Sequence, residues 1–318
     1  MNSPLGPFVR LEGISINQLP PDGKGETSGS RTASSGKSND ELPSAASSEM
    51  RAFLKGVIAE AAPFIDAAAP KLGSPPTWKT RGSKRFTSPN VLVELFELRV
   101  SGKELDKVRR TSQIRADCKD ETWFCRRSRH RNAAEEGTAS WDEFVHSFKE
   151  FHHQSEHAFT PSVIGAREAI VWNTPDIEIE TGGDHWVNIG LAVVEMKLKI
   201  DPKPLKNRTF PVVQISAALT GAQEFLVVSI PLTDFDKSPY AEYARDKSLV
   251  VAAYVSIERI RILPTSGEIE WIMATASDAG GVLPQWMQNL VVPGKIADDV
   301  DLFLRWIQSQ RKKGGEAE

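Results

Sequence analysis

His152, His153 and His157, with Glu156 among them, are the densest group of chemically versatile side chains in this sequence. On a helix His153 and His157 lie one turn apart on one face, the geometry of a two-histidine metal clamp. The order His-His-Gln-Ser-Glu-His differs from the His-Glu-x-x-His of zinc hydrolases, no third ligand is identifiable, and Cys118 and Cys125 are not spaced as a metal pair. The cluster therefore reads as helix-end histidines satisfied by hydrogen bonds, and neither a metal nor a cofactor is expected. Arg126, Arg127 and Arg129 fall on an extended stretch, so alternate members face opposite sides. A buried arginine needs an acid, which Glu195, Glu224 or Glu258 can supply. Arg127 is assigned as an inward polar anchor for an apolar ligand; the plain alternative is a surface ion pair. Trp271 and Met273 share one strand face, and with Met196, Trp286 and Leu290 they are the expected apolar lining of a pocket. His130 and Tyr254 are the candidate proton donors for any acid–base chemistry there. No residue is assigned a catalytic role.

Composition narrows the classes further. The 318 residues are 40% hydrophobic and 25% charged, ordinary for a globular chain with a sizeable core. Lys plus Arg is 39 against 42 for Asp plus Glu, a net charge of -3 that gives no global footprint for nucleic acid. Two cysteines do not make a disulfide framework. The first residues have no basic region followed by an apolar run, and nothing approaches the roughly 18 to 20 apolar residues of a membrane span. These features imply a cytoplasmic chain, peripheral to membranes where it meets them. Gly29 with Gly36-Lys37-Ser38 imitates a phosphate loop, but six residues separate the glycines, and no strand precedes them. No Gly-x-Ser-x-Gly elbow, kinase or dinucleotide signature occurs.

Residues 1–48, and above all 20–48, are dominated by residues with little to bury and are expected to be a disordered segment. A helix is predicted over 49–69, with Phe53, Leu54, Val57, Ile58, Ala61 and Ile65 on one face and a kink at Pro63. A strand over 90–100 and a return strand over 122–131 flank a polar insertion, 103–121, whose basic residues are read as a solvated surface or as a patch for anionic headgroups. Ser140 and Glu143 form a capping box ahead of a helix carrying Trp141, Phe144, Val145 and Phe148. From residue 167 the pattern becomes extended. Strands are predicted over 168–173, 186–200, 210–219, 224–232, 250–263 and 268–277, joined by turns that imply antiparallel hairpins. A Gly280-Gly281 turn leads to a helix beginning near Pro284, and a second helical run over 296–308 precedes a polar tail, 311–318.

The stretch from Trp271 through Asp278-Ala279-Gly280-Gly281-Val282-Leu283-Pro284-Gln285-Trp286, with the helix ending Leu302-Phe303-Leu304-Arg305-Trp306-Ile307, resembles the C-terminal end of START lipid-transfer domains. Trp123 to His130 and Ser140-Trp141-Asp142-Glu143-Phe144 are similar to a fungal START-like family of unknown function. The resemblance spans about residues 53–310 and departs from the pattern at the long insertion 103–121. It implies an α+β helix-grip fold, 49–310, with a curved antiparallel sheet around the C-terminal helix. It also implies one hydrophobic ligand, a lipid or sterol-like molecule, in an internal cavity for transfer or sensing, with transient membrane contact. Gly280, Gly281, Pro293 and Gly294 are the expected flexible points of a gate. The alternative is a cyclase-like cavity enzyme acting on a hydrophobic metabolite; the reading leans away from an enzyme and names no protein partner.

Overall fold

A computed structural model describes residues 5–21, 23–25, 45–68, 77–87, 90–108, 118–174, 176–202, 204–281 and 285–315, with backbone alone for 45–47, 285–290 and 314–315. The first elements are strand β1 (Lys24–Gly25), helix α1 (Ala45–Ala68), strands β2 (Lys79–Thr87) and β3 (Asn90–Val100), a short helix α2 (Gly102–Asp106) and β4 (Glu121–His130). Helices α3 (Trp141–Phe144) and α4 (His152–Phe159) flank a π-helical turn, Val145–Glu150. Eight strands follow: β5 (Val163–Val171), β6 (Ile179–Thr181), β7 (Asp184–Leu198), β8 (Arg208–Leu219), β9 (Glu224–Pro231), β10 (Val250–Val251), β11 (Ala253–Ile262) and β12 (Ile269–Asp278). Helix α5 (Gln285–Gly315) completes the order.

All twelve described strands join one sheet in the order β1-β5-β7-β8-β9-β11-β12-β4-β3-β2, with β6 on β7 and β10 on β8. Every pairing but β10 with β8 is antiparallel, as the short turns require. The two-residue period of the strands gives the sheet two apolar faces. On β12, Ile272, Ala274 and Ala276 join a core with α1 residues Leu54, Val57 and Phe64, while Trp271 packs on the opposite side with Phe303 and Leu304 of α5. The molecule is thus a curved antiparallel sheet with the long C-terminal helix gripped on one face and α1 on the other, an α+β helix-grip fold.

Three expectations change. Residues 5–21 are not an unstructured lead: Leu5, Phe8, Val9 and Ile14 are at most 3% exposed in the α1-side core. Glu60 of α1 accepts from the Phe8 and Val9 amides, and Glu121 from that of Leu11, so half-buried Glu60 and buried Glu121 tie down the backbone of a strap. The stretch 26–44, including the imitation phosphate loop, lies outside the described residues, as do 109–117 of the insertion. The insertion's start is capped by Ser101 and Glu104 and buries Leu105 rather than standing free in solvent. The two C-terminal helical runs are one helix that continues across Pro293 and into the expected tail, where Arg311 donates to Glu143 at 2.6 Å.

Candidate functional site

The inward stripe of α5 changes character along its length. Val300, Phe303, Leu304 and Ile307 fill the grip completely, and Phe303 lies 4.8 Å from Phe148, 5.1 Å from Phe144 and 5.5 Å from Trp271 between ring centroids. One turn earlier Val292, Lys295, Ile296 and Asp299, spaced as one helix face, leave a cavity of about 250 Å³ over the sheet. Its apolar walls come from Phe148, Phe159, Met196, Leu198, Phe210, Trp271 and Met273. Polar groups gather at Arg126, His152, Glu156, Tyr254, Ser256, Glu258 and Asp299. A hollow of about 560 Å³ beside Lys55 and the Gly182-Gly183 turn is larger, but it is a solvent-facing concavity without an apolar lining.

Register explains the polar cluster. Met273 on β12 sits between Arg126 on β4 and Glu258 on β11, all three facing α5. Arg126 Nη2 donates to Glu258 Oε1 at 3.1 Å, and its guanidinium carbon stacks 3.8 Å above the Trp271 ring. Trp271 Nε1 donates to the same Oε1 at 2.6 Å, and His152 Nε2 lies 3.1 Å from Glu258 Oε2. Gln214 Nε2 reaches His152 Nδ1 at 3.2 Å, which sets the tautomer that turns Nε2–H toward Glu258.

These contacts pull the titrations apart. Burial works against the Glu258 carboxylate, but the hydrogen bond from His152 and the Arg126 charge outweigh it and hold its pKa below the ordinary value. Burial likewise opposes a charged His152, yet Glu258 wins and raises it. Glu156 is pushed up by burial against the pull of His152. Asp299 is pushed up to about 7 by burial, with Arg126 pulling the other way and Glu156 and Glu258 adding to the rise. Glu156 and Asp299 both line the cavity and are partly accessible there.

The expected site residues separate into groups. Trp271, Met273 and Met196 line the cavity. Arg127 does not: it faces the other side of β4, where Glu94 takes its Nε and Nη2 at 2.9 and 3.1 Å. The alternation was sound, but which parity faces α5 depends on the β4–β12 register, and the inward arginine is Arg126. Of its candidate acids, Glu258 is the partner; Glu195 binds Arg167 at 2.6 Å, and Glu224 lies 3.9 Å from Arg259. Trp286 and Leu290 lie on the α5 backbone, with their side chains outside the described residues. Gly280 and Gly281 form the loop into α5 at φ of 61° and 66°, where glycine avoids left-handed strain. Buried Arg208 holds that loop by donating to Ala279 O at 2.7 Å and Gly280 O at 3.4 Å. Pro293 and Gly294 stand inside α5 beside the cavity-lining Val292 and Lys295.

Tyr254 lines the cavity, whereas His130 is buried beneath Phe144 and Trp271, and burial pushes its pKa down to about 3. Among the histidines, His152 reaches the cavity, while His153 turns toward Glu168 at 3.9 Å. Glu156 and Asp299 were missed as site residues, and for Asp299 a signal existed: an acid interrupts the core-facing stripe Val292, Ile296, Val300, Phe303. Among the described residues no group of histidines, cysteines and acids has metal-binding geometry, and no helix is long and apolar enough to cross a membrane.

A family model described as a protein of unknown function, DUF3074, matches residues 123–307. No protein with a curated description matches the sequence. The chain is similar to solved START-type structures. Human STARD10 is 14% identical at a TM-score of 0.48, over 77% of this chain and 78% of that one. Human StAR-related lipid transfer protein 5 is 12% identical at 0.48, over 84% and 98%. A STAR-related lipid transfer protein fragment from Xanthomonas axonopodis is 14% identical at 0.43, over 74% and 98%.

Proposed function

The chain belongs to the DUF3074 family, whose function is unknown, and from its own geometry we propose that it binds one hydrophobic ligand inside the grip, as a carrier or sensor. The observation that carries the reading is the cavity between α5 and the sheet, walled by Phe148, Phe159, Met196, Phe210, Trp271 and Met273, with the Arg126–Glu258–His152 cluster among its few charged groups. Ligand sites have this make-up: mostly apolar walls and a few placed polar groups. Burying apolar ligand surface contributes about 25 cal/mol per Å², so such walls bind without a reactive group.

At about 250 Å³ the cavity lies below the roughly 300–1,000 Å³ usual for drug-sized ligands. A sterol or two-chain lipid therefore requires α5 to move away from the sheet. The Gly280-Gly281 loop at the start of α5 is the natural hinge, and Val291 and Val251, 52% and 47% exposed, give the same end of the molecule apolar side chains for transient contact with a membrane. Native mass spectrometry of the purified chain with lipid extraction tests the reading. One stoichiometric hydrophobic molecule is expected. A protein that carries none and takes up no hydrophobic probe refutes it.

The His152–Glu258 pair favours a second reading, an enzyme acting on a hydrophobic metabolite, because it sets a proton-transfer group against the cavity. Full retention of ligand binding with turnover abolished in His152→Gln separates this reading from the first.

A further inference from the structure

Arg126 has more donors than its surroundings have acceptors. The residue is 1% exposed; Glu258 takes Nη2 and Trp271 covers a ring face, but Nε and Nη1 meet no hydrogen-bond partner. Those two atoms carry three of the five N–H bonds of a guanidinium. A buried donor left unpaired is destabilising, and more so on a charged group. Unpaired donors on a cation that lines the cavity call for a ligand oxygen.

The groups facing Arg126 do not meet that demand. From α4, His152 already gives Nε2 to Glu258, and Glu156 is drawn toward its protonated form by burial. From α5, Asp299 is drawn the same way, Lys295 adds a cation, and Asp298 is engaged by Lys84. From β11, Tyr254 is held neutral by burial, which leaves Glu258 as the acid favoured in its anionic form. Glu258 already spends its oxygens on Arg126 Nη2, Trp271 and His152, and no acceptor reaches Nε or Nη1.

We propose that the cavity takes an amphipathic carboxylic acid in its ionised form, the carboxylate on an unpaired N–H of Arg126 and the chain along Met273, Met196 and Phe210. This rests on the internal-ligand reading above and names its ligand class. A hydroxyl would offer two lone pairs and bring a donor of its own, whereas a carboxylate offers about four acceptor sites and no donor. Its bonds to the guanidinium are charge-assisted, and such bonds are about twice as strong as neutral ones. A cavity of about 250 Å³ suits a single medium-length chain rather than a two-chain lipid.

Calorimetric titration of the full chain with octanoate and with octan-1-ol at pH 7 tests the proposal. Octanoate is expected to bind at least about tenfold tighter, the ratio that one net charged hydrogen bond of about 1.4 kcal/mol supplies. Arg126→Gln should remove that preference, so that octanoate binds no tighter than octanol. If octanol binds the unmodified chain as tightly as octanoate, the carboxylate proposal is wrong and the internal-ligand reading stands. If neither binds, both fall. A preference for octanoate that persists in Arg126→Gln overturns the assignment to Arg126. Should that variant not fold, the comparison on the unmodified chain still decides.

Discussion

Replacing Asp299 by asparagine should stabilise the protein in mild alkali and leave it nearly unchanged in acid. The folded carboxyl titrates near 7 instead of 3.8, chiefly because α5 seats it against the cavity without a full hydration shell. Its pKa is raised, so the native state holds this proton more tightly than the unfolded chain does. The associated stability is complete below about pH 4 and is lost as the pH rises through about 7. A difference of about three pKa units corresponds to about 4 kcal/mol at most. Water inside the cavity screens part of this, and about 2 kcal/mol is the working figure. Asparagine takes up no proton, so the variant escapes the loss. In a chain of this size a kilocalorie moves Tm by roughly 2 °C, so Asp299→Asn should raise it by about 4 °C at pH 8 and by less than about 1 °C at pH 4. Differential scanning calorimetry of both proteins across that range cancels the titrations of His152, Glu156 and Glu258. Equal shifts at the two pH values would show that Asp299 ionises as in water, and its desolvation against the cavity would be refuted.

Two more expectations concern α5. Arg208→Ala removes the donors that hold the Ala279 and Gly280 carbonyls, so amide exchange at the start of α5 and stopped-flow release of octanoate should each quicken about tenfold, the equivalent of one lost hydrogen bond; unchanged rates would exclude the loop as a hinge. Phe303→Ala should cost about 3–5 kcal/mol by opening a void among Phe144, Phe148, Phe159 and Trp271. A loss under about 1 kcal/mol in urea titrations would mean that α5 is not seated as described.

Strands rich in Val, Ile, Leu and Phe and bounded by turn signals were legible, and β3, β8 and β12 fall within a residue or two of their expected bounds. The Ser140–Glu143 capping box was equally plain, since its partners are three residues apart and interact locally. Strand β2 was missed: Lys79, Arg81, Lys84 and Arg85 give it no apolar face, and that charge suits an edge strand that must not recruit another chain. The strap of residues 5–21 was missed because its acceptors, Glu60 and Glu121, lie far along the chain. Arg126 and Arg127 show the limit most sharply. Sequence says that they oppose each other, but only the partner strand says which one faces inward.

The pairing of β4 with β12, His130 opposite Ile269, has a consequence for synthesis. As the chain leaves the ribosome, β2, β3 and β4 can form hairpins early, yet the free edge of β4 must wait until β11 and β12 have been made. Sheets closed by such distant pairings fold slowly, and an exposed edge invites association with another chain meanwhile. A nascent chain halted before residue 269 would present two unfinished half-sheets with apolar faces. Chaperone dependence and a narrow expression temperature are the expected cellular signature of the same strand junction that, once made, sets Arg126 beside Met273.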